Sequence, residues 1–369
     1  MRSIHTTRWV SQLKGAGHDV HWFDILNGGY IKEWNWVTQH SNWRYRFGDF
    51  RGRIFLKKNL PAIHRLFEKN VEIEFERIIK DIQPDVVHSF VMYKCCVPIF
   101  PVMQRYPSIK WIYSSWGSDL YHFRNIPKHR KELENILPHI DYLFTDNKRD
   151  FSIAKQLGFQ ATFLGAFPGG GGFHIKELEA FVSPFSTRKT ILIKGYQGRS
   201  GRAITVMKAL SEIMDQLSDY EVVVFAADAE LITYLEGVKT LDTLVVKSRM
   251  GRADVLKMMG EAYIYIGNSE SDGMPNTLLE AIIMGAFPIQ SNPGGVTEEI
   301  IINRKNGLLI SVAEDKEDVK NRILEAVLNR DMLLDAFSYN QELKGTLEFD
   351  LIRTNVLMAY DQVKKELKK

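Results

Sequence analysis

The sequence predicts an α/β protein built from two Rossmann-like, doubly wound domains with parallel sheets. Three observations lead there. The chain of 369 residues is longer than one typical domain, and its composition, 45% hydrophobic and 25% charged, is that of a globular protein. Short β-branched runs alternate with amphipathic stretches along most of the length, a pattern that lays parallel strands between two layers of helices. A run of four glycines at 169–172, preceded by Pro168, interrupts the alternation near the middle; such a segment suits a hinge.

Taken in order, residues 3–15 read as a first helix, leading through 15–18 to a strand at 20–25. A doubly wound domain opens with a strand feeding that helix, and only Met1 and Arg2 stand before it here. Either that strand is absent or the natural start lies further upstream; the second is our expectation. Residues 70–82 carry apolar side chains at helical spacing, and 86–90, 111–114 and 142–145 read as strands. Together these make a domain over 1–167. After a hinge at 168–188, a second domain over 189–346 repeats the scheme. Its strands read at 190–194, 221–226, 243–247, 263–267 and 287–290, and its helices at 202–216, 252–259 and 276–284. The final stretch, 347–369, reads as one long amphipathic helix with a lysine-rich end.

Net charge is +3 but unevenly spread: residues 1–165 hold 24 Lys and Arg against 16 Asp and Glu, and the remainder 24 against 29. Unless this is chance variation, a basic first half and an acidic second half meet different partners. The two cysteines, Cys95 and Cys96, are adjacent and supply no disulfide framework, which favours a reducing, cytoplasmic setting. No apolar run reaches the roughly 18 residues needed to cross a bilayer, and no signal-peptide pattern opens the chain. Residues 43–58 (WRYRFGDFRGRIFLKK) interleave aromatics with Arg and Lys. That suits a membrane surface or an anionic lipid-linked acceptor, or equally a basic loop whose aromatics pack inward. No nucleic-acid-binding motif accompanies the patch, so nucleic acid is not an expected partner.

The chemistry concentrates at 267–307, GNSESDGMPNTLLEAIIMGAFPIQSNPGGVTEEIIINRKNG. A strand ends at Gly267, a polar loop follows, and a helix starts at Asn276 or Thr277. Loop amides and a helix N-terminus converge there into a phosphate site, at the carboxyl end of a strand, where open α/β sheets bind ligands. Gly273 lets the backbone approach an anion, Met274 continues the loop and Pro275 pre-sets the turn into the helix. Asp272 and Glu280, eight residues apart across the junction, are spaced to accept hydrogen bonds from sugar hydroxyls on either side of a diphosphate. A capped helix with solvated acids would show the same spacing. A second loop, KGYQGRSGRA, follows strand 190–194 and holds Gly195, Arg199 and Arg202. A guanidinium bridges two phosphate oxygens, so either arginine suits a diphosphate; a solvated Gly/Arg turn is the plain alternative.

The 267–307 segment resembles the signature of the family 4 glycosyltransferases, which have the GT-B fold and mostly retain anomeric configuration. Their pattern is E-x7-E, a Gly-Pro-type turn, a strand and a Gly-Gly-x-x-Glu loop; here 285–288 and 293–298 supply the later parts, and Asn306 and Gly307 the closing turn. The resemblance implies two Rossmann-like domains facing across a cleft, acceptor-binding first and nucleotide-sugar-binding second, with the C-terminal helix returning to the first. It implies that Glu280 binds ribose hydroxyls. Asp272 stands where the first glutamate contacts the donor sugar, one methylene shorter, with Glu270 a nearby candidate for the same work. An arginine and a lysine of the second loop neutralise the family's diphosphate; Tyr196 falls near that arginine's position, leaving Arg199 and Arg202. SIHTTRW (3–9), GHDVHWF (17–23) and PDVVHSF (84–90) look like the acceptor domain; His5, His88 and Asp119 are candidates to line the cleft, the alternatives being ordinary loop or core histidines and a buried aspartate that caps a helix or fixes a loop. WGSD (116–119) resembles a motif written with histidine first; Trp116 takes that place, so the histidine's role does not carry over.

The implied activity is transfer of a sugar from a nucleoside diphosphate sugar, a UDP-sugar before a GDP-sugar, to a hydroxyl of a carbohydrate or lipid-linked acceptor. Polysaccharide or glycolipid biosynthesis is the implied setting. Asp272, Arg199 and Arg202 are the expected catalytic groups, with no metal and no cofactor beyond the substrate. We expect a cytoplasmic protein, in peripheral contact with the inner face of the membrane through its basic first domain. The competing readings are a sugar-nucleotide epimerase of the same fold and a catalytically weak sugar-nucleotide-binding partner.

Overall fold

The computed structural model describes residues 3–46, 52–238 and 243–368. The chain divides into two compact units: unit 1 takes Met1–Asp146, Asp150–Gly171 and Arg353–Lys369, and unit 2 takes Asn147–Arg149 and Gly172–Ile352. Both alternate helices with parallel strands.

Unit 1 opens with the helix Ile4–Ser11 (α1), capped by Ser3, whose hydroxyl accepts from Thr6 N at 3.1 Å. Its strands form two sheets. β1 (His21–Phe23) pairs in parallel with β2 (Thr38–His40), and β3 (Val86–Phe90), β4 (Lys110–Ser115), β5 (Tyr142–Thr145) and β6 (Thr162–Ala166) pair in that order, all parallel. The helix Val71–Ile82 lays Phe75, Ile78 and Ile79 into the core beside Trp111, Tyr113 and Leu143. The helix Phe349–Leu367 ends in this unit. Its Tyr360 hydroxyl accepts from Trp9 Nε1 at 3.1 Å and meets His88 Nδ1 at 2.7 Å, while His88 Nε2 meets Ser114 Oγ at 2.8 Å. Burial pushes the His88 imidazole down to about 3, so it sits neutral inside this network.

The basic aromatic patch at 43–58 includes 47–51, which lie outside the described residues. Trp43 packs inward, its Nε1 donating to Asp24 O at 2.8 Å, and Arg44 pairs with Glu68 at 2.9 Å. Phe55 in the helix Arg53–Asn59 is 64% exposed. Among the described residues no helix is long and apolar enough to cross a membrane.

Unit 2 holds one six-stranded parallel sheet. Its strands are β7 (Thr190–Lys194), β10 (Glu221–Phe225), β11 (Leu244–Val246), β12 (Ala262–Gly267), β13 (Phe287–Ser291) and β14 (Leu308–Ile310), in the order β11-β10-β7-β12-β13-β14. Between β7 and β10 a small antiparallel hairpin joins β8 (Gln197–Gly198) to β9 (Gly201–Arg202). A Cβ on Gly201 would lie 2.1 Å from Tyr196 O, so only glycine closes this hairpin. Strands covered on both faces must be apolar on both, and Ile191, Leu192 and Ile193 of β7 are fully buried.

The division between the two units falls within the stretch 168–188, between Gly171 and Gly172. Its four glycines are buried, and Gly171 N donates to Pro168 O at 2.7 Å. Phe173, Ile175 and Leu178 then enter the core of unit 2 around the helix Ile175–Glu179. Glycine is needed here for packing: a Cβ on Gly172 would meet Phe349 Cα at 2.9 Å, and the residue has φ 85°.

Candidate active site

The strand order of unit 2 reverses between β7 and β12, since the chain leaves β7 toward β10 and β11 and continues from β12 toward β13 and β14. Ligands of open α/β sheets bind beyond the carboxyl ends of the strands at such a reversal. The two loops singled out in the sequence leave these two strands, and Arg202 N in one donates to Asn268 O in the other at 2.8 Å.

The helix Asn276–Ile283 follows the second loop. Pro275 holds extended backbone at its N-cap position, and no side chain caps it, an arrangement that offers first-turn N–H groups to an anion. One turn on, Glu280 is 3% exposed, and Arg252 Nη2, from the start of the helix Arg252–Glu261, lies 2.7 Å from its Oε1. A carboxylate this buried is costly without such a partner. Asp272 accepts from Gly273 N at 3.0 Å through one oxygen and faces Lys194 Nζ at 3.8 Å through the other. Lys194 closes β7 and also stands 4.7 Å from the Tyr196 ring centroid. Beneath them the Tyr265 hydroxyl donates to Thr277 Oγ1 at 2.9 Å. Burial pushes that hydroxyl far above its ordinary range, the charges of Asp272 and Glu280 add to the effect, and the Thr277 bond opposes it, so it remains a neutral donor.

Several residues expected at the site have other partners. Arg202 pairs with Glu270 and, at 3.1 Å, with Glu314; its Nη1 also bonds the carbonyl oxygens of Gly198 and Gly201. Through these contacts it fastens the β8–β9 hairpin to the loop after β12. Glu270, expected toward the sugar, is its counter-ion. Gly195 is glycine for packing reasons, since a Cβ there would meet Ala227 Cα at 2.7 Å. Arg199 is exposed between β8 and β9. Met274 is half-buried against the unit 2 core.

In unit 1, Asp119 is inside: its Oδ2 accepts from Met92 N at 2.7 Å and from the Tyr113 hydroxyl. Burial raises its carboxyl to about 7, and those two bonds hold it from going higher. It fastens the turn after β3, where Val91 takes φ 65°, and so anchors a loop instead of lining an open face. His5 is half-buried in the first turn of α1 with its ring tilted against Trp116 at 6.2 Å. Among the described residues no group of three or more His, Cys, Asp or Glu is placed to hold a metal ion.

Sequence reasoning missed Lys194 and Arg252. Lys194 had a signal, a charged residue closing an otherwise apolar central strand. Arg252 had none, because it reaches Glu280 from 28 residues away with no motif to mark it.

Comparison with known proteins places this geometry in a family. Residues 176–343 match the family described as glycosyl transferases group 1, and residues 1–147 match glycosyl transferase 4-like. No curated protein sequence matches the chain significantly. Among solved structures, sucrose-phosphate synthase from Thermosynechococcus elongatus is 13% identical with a TM-score of 0.74, covering 98% of this chain and 93% of its own. A glycosyltransferase from Rickettsia africae is 16% identical with a TM-score of 0.69, covering 99% and 94%. Anabaena HepE, seen in complex with UDP and glucose, is 12% identical with a TM-score of 0.62, covering 88% and 86%. At such identities the likeness is one of fold. With one family model over each part of the chain and the GT-B fold along its length, this chain belongs to the group 1 glycosyltransferases.

Proposed function

We propose that this glycosyltransferase takes its sugar from a nucleoside diphosphate sugar, a UDP-sugar before a GDP-sugar. It passes the sugar, with retention and without a metal ion, to a hydroxyl of a carbohydrate or lipid-linked acceptor. One observation carries this reading: at the sheet reversal, the Glu280–Arg252 and Asp272–Lys194 pairs flank a helix N-terminus that no side chain caps. Glu280 accepts hydrogen bonds from the ribose hydroxyls and Asp272 from the sugar. The diphosphate lies against the amides of 273–276, with Lys194 and Arg199 as its counter-charges.

As the anomeric carbon becomes oxocarbenium-like, negative charge grows on the departing diphosphate, and groups already pointing at it stabilise that charge without reorganising. The leaving phosphate takes the acceptor's proton on the same face, which gives retention. HepE, of like fold, is seen with UDP and glucose, and this supports the choice of uridine.

The test is thermal unfolding with UDP, GDP, ADP and CDP, in wild type and in Glu280→Ala. UDP at a hundredfold excess over its Kd is expected to stabilise wild type by about 2.7 kcal/mol, undiminished in EDTA and lost in the variant. No shift with any of the four removes the donor site; an inverted anomer in the product, read by NMR, removes retention.

A further inference from the structure

Unit 2 takes three residues, Asn147–Arg149, from a stretch that otherwise belongs to unit 1. They follow β5 and open the helix Lys148–Gln156, whose leading N–H groups have no partner within the helix. Glu299, closing the short turn Thr297–Glu299, supplies one: its Oε2 accepts from Lys148 N at 2.7 Å and its Oε1 from Arg149 N at 2.9 Å. A carboxylate at a helix N-terminus is favourable on charge as well. The Arg149 side chain is thereby laid across two loops. Its Nη1 donates to Pro293 O at 2.5 Å, in the loop after β13, and its Nη2 to Asp272 O at 2.9 Å, in the loop after β12.

The two loops differ in how much of their shape is fixed from within. In the loop after β13, Asn292 Oδ1 accepts from Thr297 N at 2.9 Å and from Glu298 N at 3.3 Å, and the Thr297 hydroxyl donates to Ser291 O at 2.7 Å. The loop after β12 is fixed at its start, where Ser269 N donates to Ser291 Oγ at 2.7 Å, and at its end, where Pro275 leads into the helix. Between these points lies the peptide that joins Asp272 to Gly273. Glycine leaves the adjoining torsion permissive, so this peptide can turn over. The carbonyl and N–H of one trans peptide point in opposite directions. With Asp272 O turned to Arg149, Gly273 N–H is therefore turned away from it. On that side Asp272 Oδ1 accepts from Gly273 N at 3.0 Å, and the same carboxylate faces Lys194 Nζ at 3.8 Å. A cation on the carbonyl also polarises the peptide and makes its N–H a better donor.

We propose that Arg149 is a positioning residue of the donor site. Its planar fork holds two carbonyl oxygens at once, and so ties the orientation of the 272–273 peptide to the loop after β13. It acts through the main chain. The inference rests on the reading above, in which the diphosphate lies against the amides of 273–276. There Glu280 stands at the ribose end and Asp272 at the sugar end, so Gly273 N–H serves the phosphate that carries the sugar. The phosphate next to the ribose falls to the amides further along.

Arg149→Met and Arg149→Lys test this, with UDP and UMP as calorimetric probes, or GDP and GMP if wild type takes guanosine diphosphate instead. Methionine removes both bonds, while lysine keeps the charge but bonds one carbonyl in place of two. Either variant is expected to weaken UDP binding by about threefold to tenfold, the worth of one hydrogen bond, and to leave UMP binding unchanged. Equal losses with the two nucleotides, the mark of a merely structural role, overturn the proposal. So does undiminished UDP binding in Arg149→Lys, the mark of a charge acting directly on the phosphate, and so does undiminished binding in Arg149→Met. If the methionine variant fails to fold, the lysine variant decides alone. Wild type that binds no nucleoside diphosphate overturns the donor-site reading and this inference together. Diphosphate binding that is lost in Glu280→Ala yet unaltered in both Arg149 variants overturns this inference alone.

Discussion

The two units share one scheme and differ at its centre. In unit 2 the central place belongs to β7, whose Ile191, Leu192 and Ile193 are sealed from solvent. In unit 1 the same place, between β1 and β3, is a cavity, and the strands fall into two sheets. The candidate site gathers where the centre is filled. Lys194 and Asp272 meet because their loops leave adjacent paired strands, and Glu280 is held by the helix that follows. In unit 1 polar residues of β3 and of the loop after β4 are turned inward: Asp119 bonds the turn after β3, and His88, in the middle of β3, bonds Tyr360 and Ser114. A central parallel strand thus does two things at once. It completes the core, and it sets the two loops of a site at a fixed separation.

The largest expected effect breaks that comparison at the core. Leu192→Ala removes a fully buried side chain from between two helix layers and is expected to cost about 2–5 kcal/mol. Val87→Ala on β3, half-buried beside the cavity, is expected to cost about 1 kcal/mol or less, because its environment already lacks part of the packing a filled core supplies. The reverse changes sharpen it. Ile193→Phe overpacks and is expected to cost about 1–3 kcal/mol, while Val87→Phe has room and is expected to be close to neutral. Urea unfolding of the four variants checks this, and equal losses at Leu192 and Val87 would remove the distinction between the two centres.

The same contrast explains what could be read before the structure was seen. Strands buried on both faces write themselves as apolar runs, so 190–194 and 221–226 mark β7 and β10 almost residue for residue. β6 escaped because Gly165, at φ 134°, breaks its run. The outer helices Lys316–Val327 and Arg330–Leu343 also escaped: each buries only a narrow stripe, and their surfaces are largely charged. At the site, the loop-to-helix junction with Asp272 and Glu280 was legible because turn residues and helix starts are local signals. Which cation serves which carboxylate was not, since Arg252 and Lys194 arrive from other elements. The patch at 43–58 shows the same limit: Trp43 faces in and Phe55 out, and alternation of aromatics with basic residues does not say which.

A middle-sized effect tests the reassignment of cations at the reversal. Lys194, 11% exposed at the end of β7, faces Asp272 and the ring of Tyr196. Arg202 is matched by Glu270 and Glu314, both substantially exposed. Loss of a charge-assisted contact is worth about 1.5–3 kcal/mol, so Lys194→Met is expected to lower kcat/KM by about tenfold to a hundredfold. Arg202→Met releases two solvated carboxylates and is expected to cost about 1 kcal/mol of stability or less, with a smaller loss of kcat/KM. A loss at Arg202 as steep as at Lys194 would return the diphosphate to the arginine.

The smallest net effect lies in unit 1, where two buried groups oppose each other. Asp119 has its carboxyl raised from 3.8 to about 7, first by burial; Asp150 adds to this, and Lys94 and the bonds from Tyr113 and Met92 subtract. The folded state therefore holds a proton that the unfolded chain has released between about pH 4 and 7, and this group adds stability as pH falls through that window. His88 is lowered from 6.5 to about 3 by burial, so the unfolded chain binds a proton that the fold refuses, and this group removes stability as pH falls below 6.5. Over the shared window the two nearly cancel, and each is exposed by deleting the other. Asp119→Asn is expected to make Tm fall more steeply than wild type between pH 7 and 5, and His88→Gln is expected to make it fall less steeply or rise. Scans of Tm against pH for the three proteins check the sign. Parallel profiles would mean that neither group changes its proton on unfolding, and the buried polar interior of unit 1 would then have to be open to water in a way that β7 forbids in unit 2.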